Sequence, residues 1–352
     1  MLCANSIPAM SMSTFVGPTE TFPCLIVTTA QQLHCHDLSA SAVDQGVTFH
    51  DNEHRVCPGN HQTPAPVRHG RVPIFLSLPL IVLLPLSAAA DSREAVTIEI
   101  NPEGFNASRA DIRAVCRSAA NQLLRHMVDL KKTTVRVSKG AHGPIALFKK
   151  GENGEHLIKL ATEKLYWAQY AYQFSHEICH VLCGYDEDFR GNLWFEETIC
   201  EVASLYCLRR MSVEWRTNAP FGNWKSYAPL LRDYTDEIER TRQGYLEITR
   251  TGLPAYYRKH ARHLSSNGTD REKNGAMALV LLAVFERHPQ NWNAIRWLNS
   301  SPSPQGETFP QYLSKWHRAV PREHSAFVSS VAALYGISLE KRKPPDKAPI
   351  TE

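Results

Sequence analysis

Several things are missing from this sequence of 352 residues, and each absence narrows what the chain can be. It has no GxxxxGK[ST] loop and no GxGxxG loop, so nucleotide chemistry has no local support. It has no strong charge excess. The formal net charge of +4 is spread along the chain, which argues against a nucleic-acid partner. It has no disulfide framework: after Asp91 the cysteines are Cys116, Cys179, Cys183, Cys200 and Cys207, an odd set. Four of these fall in two neighbouring helices, where buried free thiols are the plain expectation. No internal repeat is present. Hydrophobic residues make up 43% of the chain, enough for a sizeable core.

The dominant apolar run, residues 72–86, is short of the ~20 residues a membrane span needs and carries Pro73, Pro79 and Pro85. Arg68 and Arg71 precede it, and Ser87-Ala88-Ala89-Ala90 follows. A positive flank, an apolar core and small residues at the end make a secretory signal cut near Ala90. This implies a secreted or periplasmic protein with no stable membrane span after cleavage. About seventy residues stand before the signal. They contain no lysine, and their Leu33-His34-Cys35-His36 cluster has no partner at ligand spacing. The expected organisation is a non-native or disordered leader (1–70), the signal (71–90), a catalytic core (91–211), a helical part (212–340) and a disordered tail (341–352).

Periodicity sets the expected elements. Residues 95–100 alternate as a strand. Residues 106–130 repeat apolar positions at helical spacing, with Ser108 or Asn106 as cap. Residues 133–137 form a second strand. Residues 144–148 and 156–160 form a hairpin around Gly151-Glu152-Asn153-Gly154. A helix spans about 163–182, with Thr162 as N-cap and Gly184 as stop. Another spans about 193–211. Residues 215–337 read as helical, with breaks at 218–220, 252–254, 265–268 and 300–302. The fold class is therefore α+β: a small mixed sheet with one special helix, followed by a mostly helical C-terminal part.

That helix carries His176-Glu177-Ile178-Cys179-His180. Residues four apart turn about 400°, so both imidazoles leave one face one turn apart, as one tetrahedral Zn²⁺ requires. Glu177 is offset by about 60° from His180. It can flank an ion without binding it, which suits a base acting on water. A catalytic site needs a third protein ligand. The next helix offers Glu197 and Glu201, four apart on one face and surrounded by apolar residues, where unpaired carboxylates would be costly. One can ligate the ion, while the other can hold a histidine's second nitrogen. Glu196, Asp186 and Asp188 are alternative ligands.

His-Glu-x-x-His followed by a glutamate helix, here residues 194–204, resembles the gluzincins, the metallopeptidases that include the thermolysin-like enzymes. The resemblance covers about residues 95–211 and is sharp over 174–204. It implies zinc held by His176, His180 and Glu197, with Glu177 as general base, Glu201 supporting a ligand histidine, and a peptide or protein substrate. The strand at 156–160 resembles the edge strand that pairs with substrate in this clan. The family also implies a His or Tyr donor from beyond the glutamate helix. Tyr257 and His260 are the foremost candidates, with Tyr256 and His263 nearby. The spacing to Glu197 is slightly short for the family, and no Gly-x-Met-Glu-Asn element supports aminopeptidase activity. The alternative function is a zinc-binding domain of this fold without peptidase activity.

Overall fold

The computed structural model describes residues 94–187, 191–340 and 342. The leader, the apolar signal run and the tail, apart from Arg342, lie outside these residues, as does Asp188. The described part is α+β, as expected.

The sheet is built from β1 (Val96–Ile100), β2 (Thr133–Lys139), β3 (Ile145–Leu147) and β4 (His156–Leu160). Its order is β1-β2-β4-β3. The first two pairings are parallel and the last is antiparallel. Helix α1 (Arg109–Leu124) makes the crossover from β1 to β2, the connection that parallel neighbours need. Ser108 caps it through Asp111 N–H. The expected span of 106–130 is too long at both ends. Asn106 and Asp129 each adopt a left-handed backbone at φ 52°, a conformation such residues tolerate better than most.

The expected hairpin is present, with Ile145 opposite Lys159 and Leu147 opposite Leu157. Gly154 supplies the positive φ of its turn. The expectation that residues 156–160 form the edge strand is overturned, because β4 lies between β2 and β3. The edge belongs to β3.

Helix α2 (Trp167–Cys183) starts later than expected. Lys164 takes φ 52° and breaks the helical path. The Thr162 hydroxyl bonds Gln169 Oε1 instead of capping. Gly184 ends the helix as expected, at φ 69°, its N–H returning to the His180 and Val181 carbonyls.

Helix α3 (Leu193–Asn218) runs past the expected end at 211. Met211, Ser212 and Trp215 are buried, and Trp215 Nε1 donates to Ser118 Oγ on α1 at 2.8 Å. The boundary drawn at 211 thus falls inside a helix, and the described residues belong to one compact unit. With buried residues on every side, α3 is a central helix. It packs on α1, α2, α4 (Ala228–Thr241) and α7 (Arg271–Arg287). Helices α5 (Gln243–Thr251), α6 (Leu253–Ser266), α8 (Phe309–Ala319) and α9 (Arg322–Leu334), with two 3-10 segments, complete the helical part. The breaks expected near 218, 252, 267 and 301 all separate elements. No helix among the described residues is long and apolar enough to cross a membrane.

Gly184 terminates α2 one turn after His180, in a conformation that costs an L-residue about 1–2 kcal/mol. Gly184→Ala is expected to lower stability by about 1 kcal/mol, read as a fall in the denaturant midpoint of the metal-free protein.

Candidate metal centre

Small residues line the contact between α2 and α3. Ala171, Ser175, Cys179 and Cys183 on α2 meet Cys200, Ala203, Ser204 and Cys207 on α3, and all are buried. Ser204 Oγ donates to the Tyr172 carbonyl across the interface at 3.0 Å. Side chains this short let the two helices approach closely. One turn of α2 is thereby set against the first two turns of α3.

His176 and His180 face this junction with ring centroids 5.0 Å apart, edge to face. Both present Nε2 to Glu197. Oε2 lies 3.0 Å from His176 Nε2, and Oε1 lies 3.6 Å from His180 Nε2. Each histidine turns Nδ1 towards another carboxylate. His180 Nδ1–H donates to Glu196 Oε1 at 2.6 Å. His176 Nδ1 stands 4.0 Å from Glu201 Oε2, an ion-pair distance too long for a hydrogen bond. Glu201, expected to support a ligand histidine, thus stands beside His176 without a hydrogen bond, while Glu196, which spacing had offered only as an alternative ligand, holds His180.

Every one of these acids is itself held. Glu196 Oε2 accepts from Asn299 Nδ2 at 2.7 Å, and Asn299 Oδ1 accepts from Tyr312 OH at 2.8 Å. Glu201 accepts from Arg242 Nη2 at 2.7 Å and from Tyr172 OH at 2.6 Å. Asn299, Tyr312 and Arg242 carried no local signal in the sequence, since each lies far along the chain from the histidines. Asn299 begins an Asn-x-Ser sequon, but its amide is committed to this network.

Glu177 is buried, and the Ala146 backbone N–H on β3 lies towards its carboxyl. Burial pushes its carboxyl above the ordinary range, and this outweighs the two neighbouring imidazoles. Burial opposes charge on His180 too, but the Glu196 hydrogen bond and the surrounding carboxylates raise it to about 10. Burial likewise works against ionised Glu197. The His176 hydrogen bond and the two imidazoles overcome it, with Arg271 adding to the effect, and hold Glu197 at about 2.

The donor set fits a zinc ion. Two imidazoles and a carboxylate with oxygens 3.0 and 3.6 Å from their Nε2 atoms are ligand types found in zinc sites, and Nδ1–H bound to a carboxylate is the usual support of a metal-binding histidine. Cys200 Sγ also lies within 4.8 Å of nitrogens of both rings. Glu197 places one oxygen 3.0 Å from His176 Nε2 and the other 3.6 Å from His180 Nε2. Asp186 is exposed and accepts from Glu187 N–H at 2.7 Å.

The proposed donors contact other residues of the helical part. Tyr257 stacks on Trp194 at 5.3 Å and packs against Phe309 and Tyr335. His260 packs on Tyr256 and lies 3.9 Å from Glu247. Tyr256 is buried, and His263 bonds Asp270 at 2.7 Å. Tyr257 has a structural role: with Trp194, Phe195, Phe309 and Tyr335 it anchors the start of α3, immediately before Glu196 and Glu197.

No family model matches this chain, and neither a curated protein nor a solved structure matches it.

Two outcomes follow from this geometry. Glu196→Gln and Asn299→Ala are each expected to weaken zinc binding about 10–100-fold, measured by competition with a chelator. Zinc must also displace the proton that His180 holds up to about pH 10. Apparent affinity is therefore expected to rise by about tenfold per pH unit across the neutral range. A pH-independent affinity would show that His180 binds no proton in the metal-free protein.

Proposed function

We propose that this chain is a zinc-dependent peptidase in which His176, His180 and Glu197 hold the ion and Glu177 is the general base. The observation that carries this reading is the convergence of both Nε2 atoms on one carboxylate, with a second, buried carboxylate beside them at the sheet edge. A zinc ion bound there would polarise a carbonyl and bring the pKa of a water molecule towards ~7.

The residues of the chain account for the rest. Glu177 takes the proton as water attacks the carbonyl carbon, then delivers it to the leaving amine. Burial suits this exchange, since a carboxyl raised above its ordinary range is a stronger base and returns the proton less readily to solvent. Glu196 fixes the His180 ring and its tautomer, so that Nε2 keeps its lone pair for the ion.

The edge strand β3 supports a peptide as substrate. In an antiparallel pair the N–H and C=O of one residue point to the same side. Ala146 N–H lies towards Glu177, so this residue faces away from β4 and along the open edge. An extended peptide adding to that edge would pass the general base, held by backbone hydrogen bonds. Ile145 and Phe148 flank it with nearly half their surface exposed and offer apolar contact to side chains. The apolar run before Asp91 supports a secreted or periplasmic location for this activity.

Glu177→Gln should keep zinc content intact and reduce hydrolysis of casein or a peptide library by at least 10²–10⁴-fold. Unchanged turnover removes Glu177 from the base role. Glu197→Ala should lose both zinc and turnover, whereas Tyr257→Phe should leave turnover near the parent value. Zinc bound in the parent protein with no peptide cleaved would instead favour a zinc-binding module.

A further inference from the structure

Within the α2–α3 contact lies a second group of donors, which meets the histidine group at Cys200. Cys179 and Cys183 are one turn apart on α2 and Cys200 faces them from α3, and all three are fully buried. Their sulfur atoms all lie within 4.8 Å of one another. Cys179 Sγ and Cys183 Sγ are 3.9 Å apart, and Cys200 Sγ lies within 4.8 Å of both. Three sulfurs around one ion at about 2.3 Å stand about 4.0 Å apart in a trigonal plane. The observed separation therefore matches that of shared coordination, well beyond the ~2.0 Å of a disulfide.

We propose that Cys179, Cys183 and Cys200 form a second metal site, for a divalent thiophilic cation, adjoining the histidine site at Cys200. Thiolate donors select soft and borderline ions such as Zn²⁺ over oxygen-seeking ones. A divalent ion with three thiolates leaves a net charge of −1. A monovalent ion would leave −2, a heavier burden in a buried site close to the Glu196 carboxylate. Each thiol releases its proton to solvent as it takes the ion. The Ile199 carbonyl accepts from Cys179 Sγ at 3.9 Å and offers an oxygen as fourth donor. Such an ion would pin α2 to α3 between the residues that carry the histidines and Glu197. The proposal stands whether or not the chain cleaves peptides.

The test uses the reduced full-length protein with Cys3, Cys24, Cys35 and Cys57 replaced by serine, titrated anaerobically with Cd²⁺ and followed by sulfur-to-cadmium absorption in the ultraviolet and by metal content. The parent chain should bind two ions and develop the sulfur band. The His176→Ala/His180→Ala variant should bind one ion and keep the band. Cys183→Ser should bind one ion and lose most of the band. Cys116→Ala, which alters a buried thiol on α1 outside the cluster, should keep both ions and the band. It also controls for loss of a core cysteine, and circular dichroism checks that each variant folds. Three results would overturn the proposal: no sulfur band in the parent, a band lost with the two histidines but kept in Cys183→Ser, or thiol titration showing that Cys179 and Cys200 are joined in a disulfide.

Discussion

The whole site depends on how closely α2 and α3 approach. Two imidazoles on one helix cannot form a metal centre alone; a carboxylate must reach between them from a second backbone. The small side chains along the contact, Ala171, Ser175, Cys179 and Cys183 against Cys200, Ala203, Ser204 and Cys207, bring Glu197 within 3.0 Å of His176. A larger residue at any of these positions would separate the helices, since packed interiors accommodate added volume poorly.

Such an approach gathers negative charge. Glu177, Glu196, Glu197 and Glu201 all lie near the two histidines, and buried carboxylates are tolerated only when paired or hydrogen-bonded. The helical C-terminal part supplies much of that pairing: Arg242 to Glu201, and Asn299, backed by Tyr312, to Glu196. It also clamps the first turn of α3 through the aromatic cluster around Trp194 and Phe195. Aromatic pairs contribute about 0.5–1.5 kcal/mol each beyond their buried area, so the cluster is a firm anchor. The C-terminal helices are therefore part of the architecture of this histidine–carboxylate cluster.

The sheet contributes position more than bulk. Because β3 and not β4 forms the edge, the open backbone of the sheet lies beside Glu177, with Ala146 N–H towards its carboxyl. Tyr185, just past the end of α2, donates to the Leu147 carbonyl at 2.5 Å and stacks on Phe148. Helix and edge strand thus meet at the middle and the C-terminal end of the short strand, which keeps Glu177 and the open edge in register.

The sequence by itself determined what depends on local periodicity. A four-residue spacing places His176 above His180 in any α-helix. Gly184 had to end α2, alternation marked the strands, and Gly151 to Gly154 marked the hairpin. These are short-range consequences of backbone geometry, and they carried the α+β class and the pair of histidines. Only the tertiary structure decided which partners those histidines meet. Helical spacing groups Glu197 with Glu201 and sets Glu196 about 100° away, yet Glu196 reaches His180, because the crossing of two helices brings more than one face of α3 to the site. Asn299 and Arg242 come from distant segments that no local pattern links to the motif. Tyr257 had the right chemistry in a plausible region, but packing turned it into the aromatic anchor. The edge strand, too, was a question of sheet order, which depends on long-range pairing and is invisible in the alternation of any one strand.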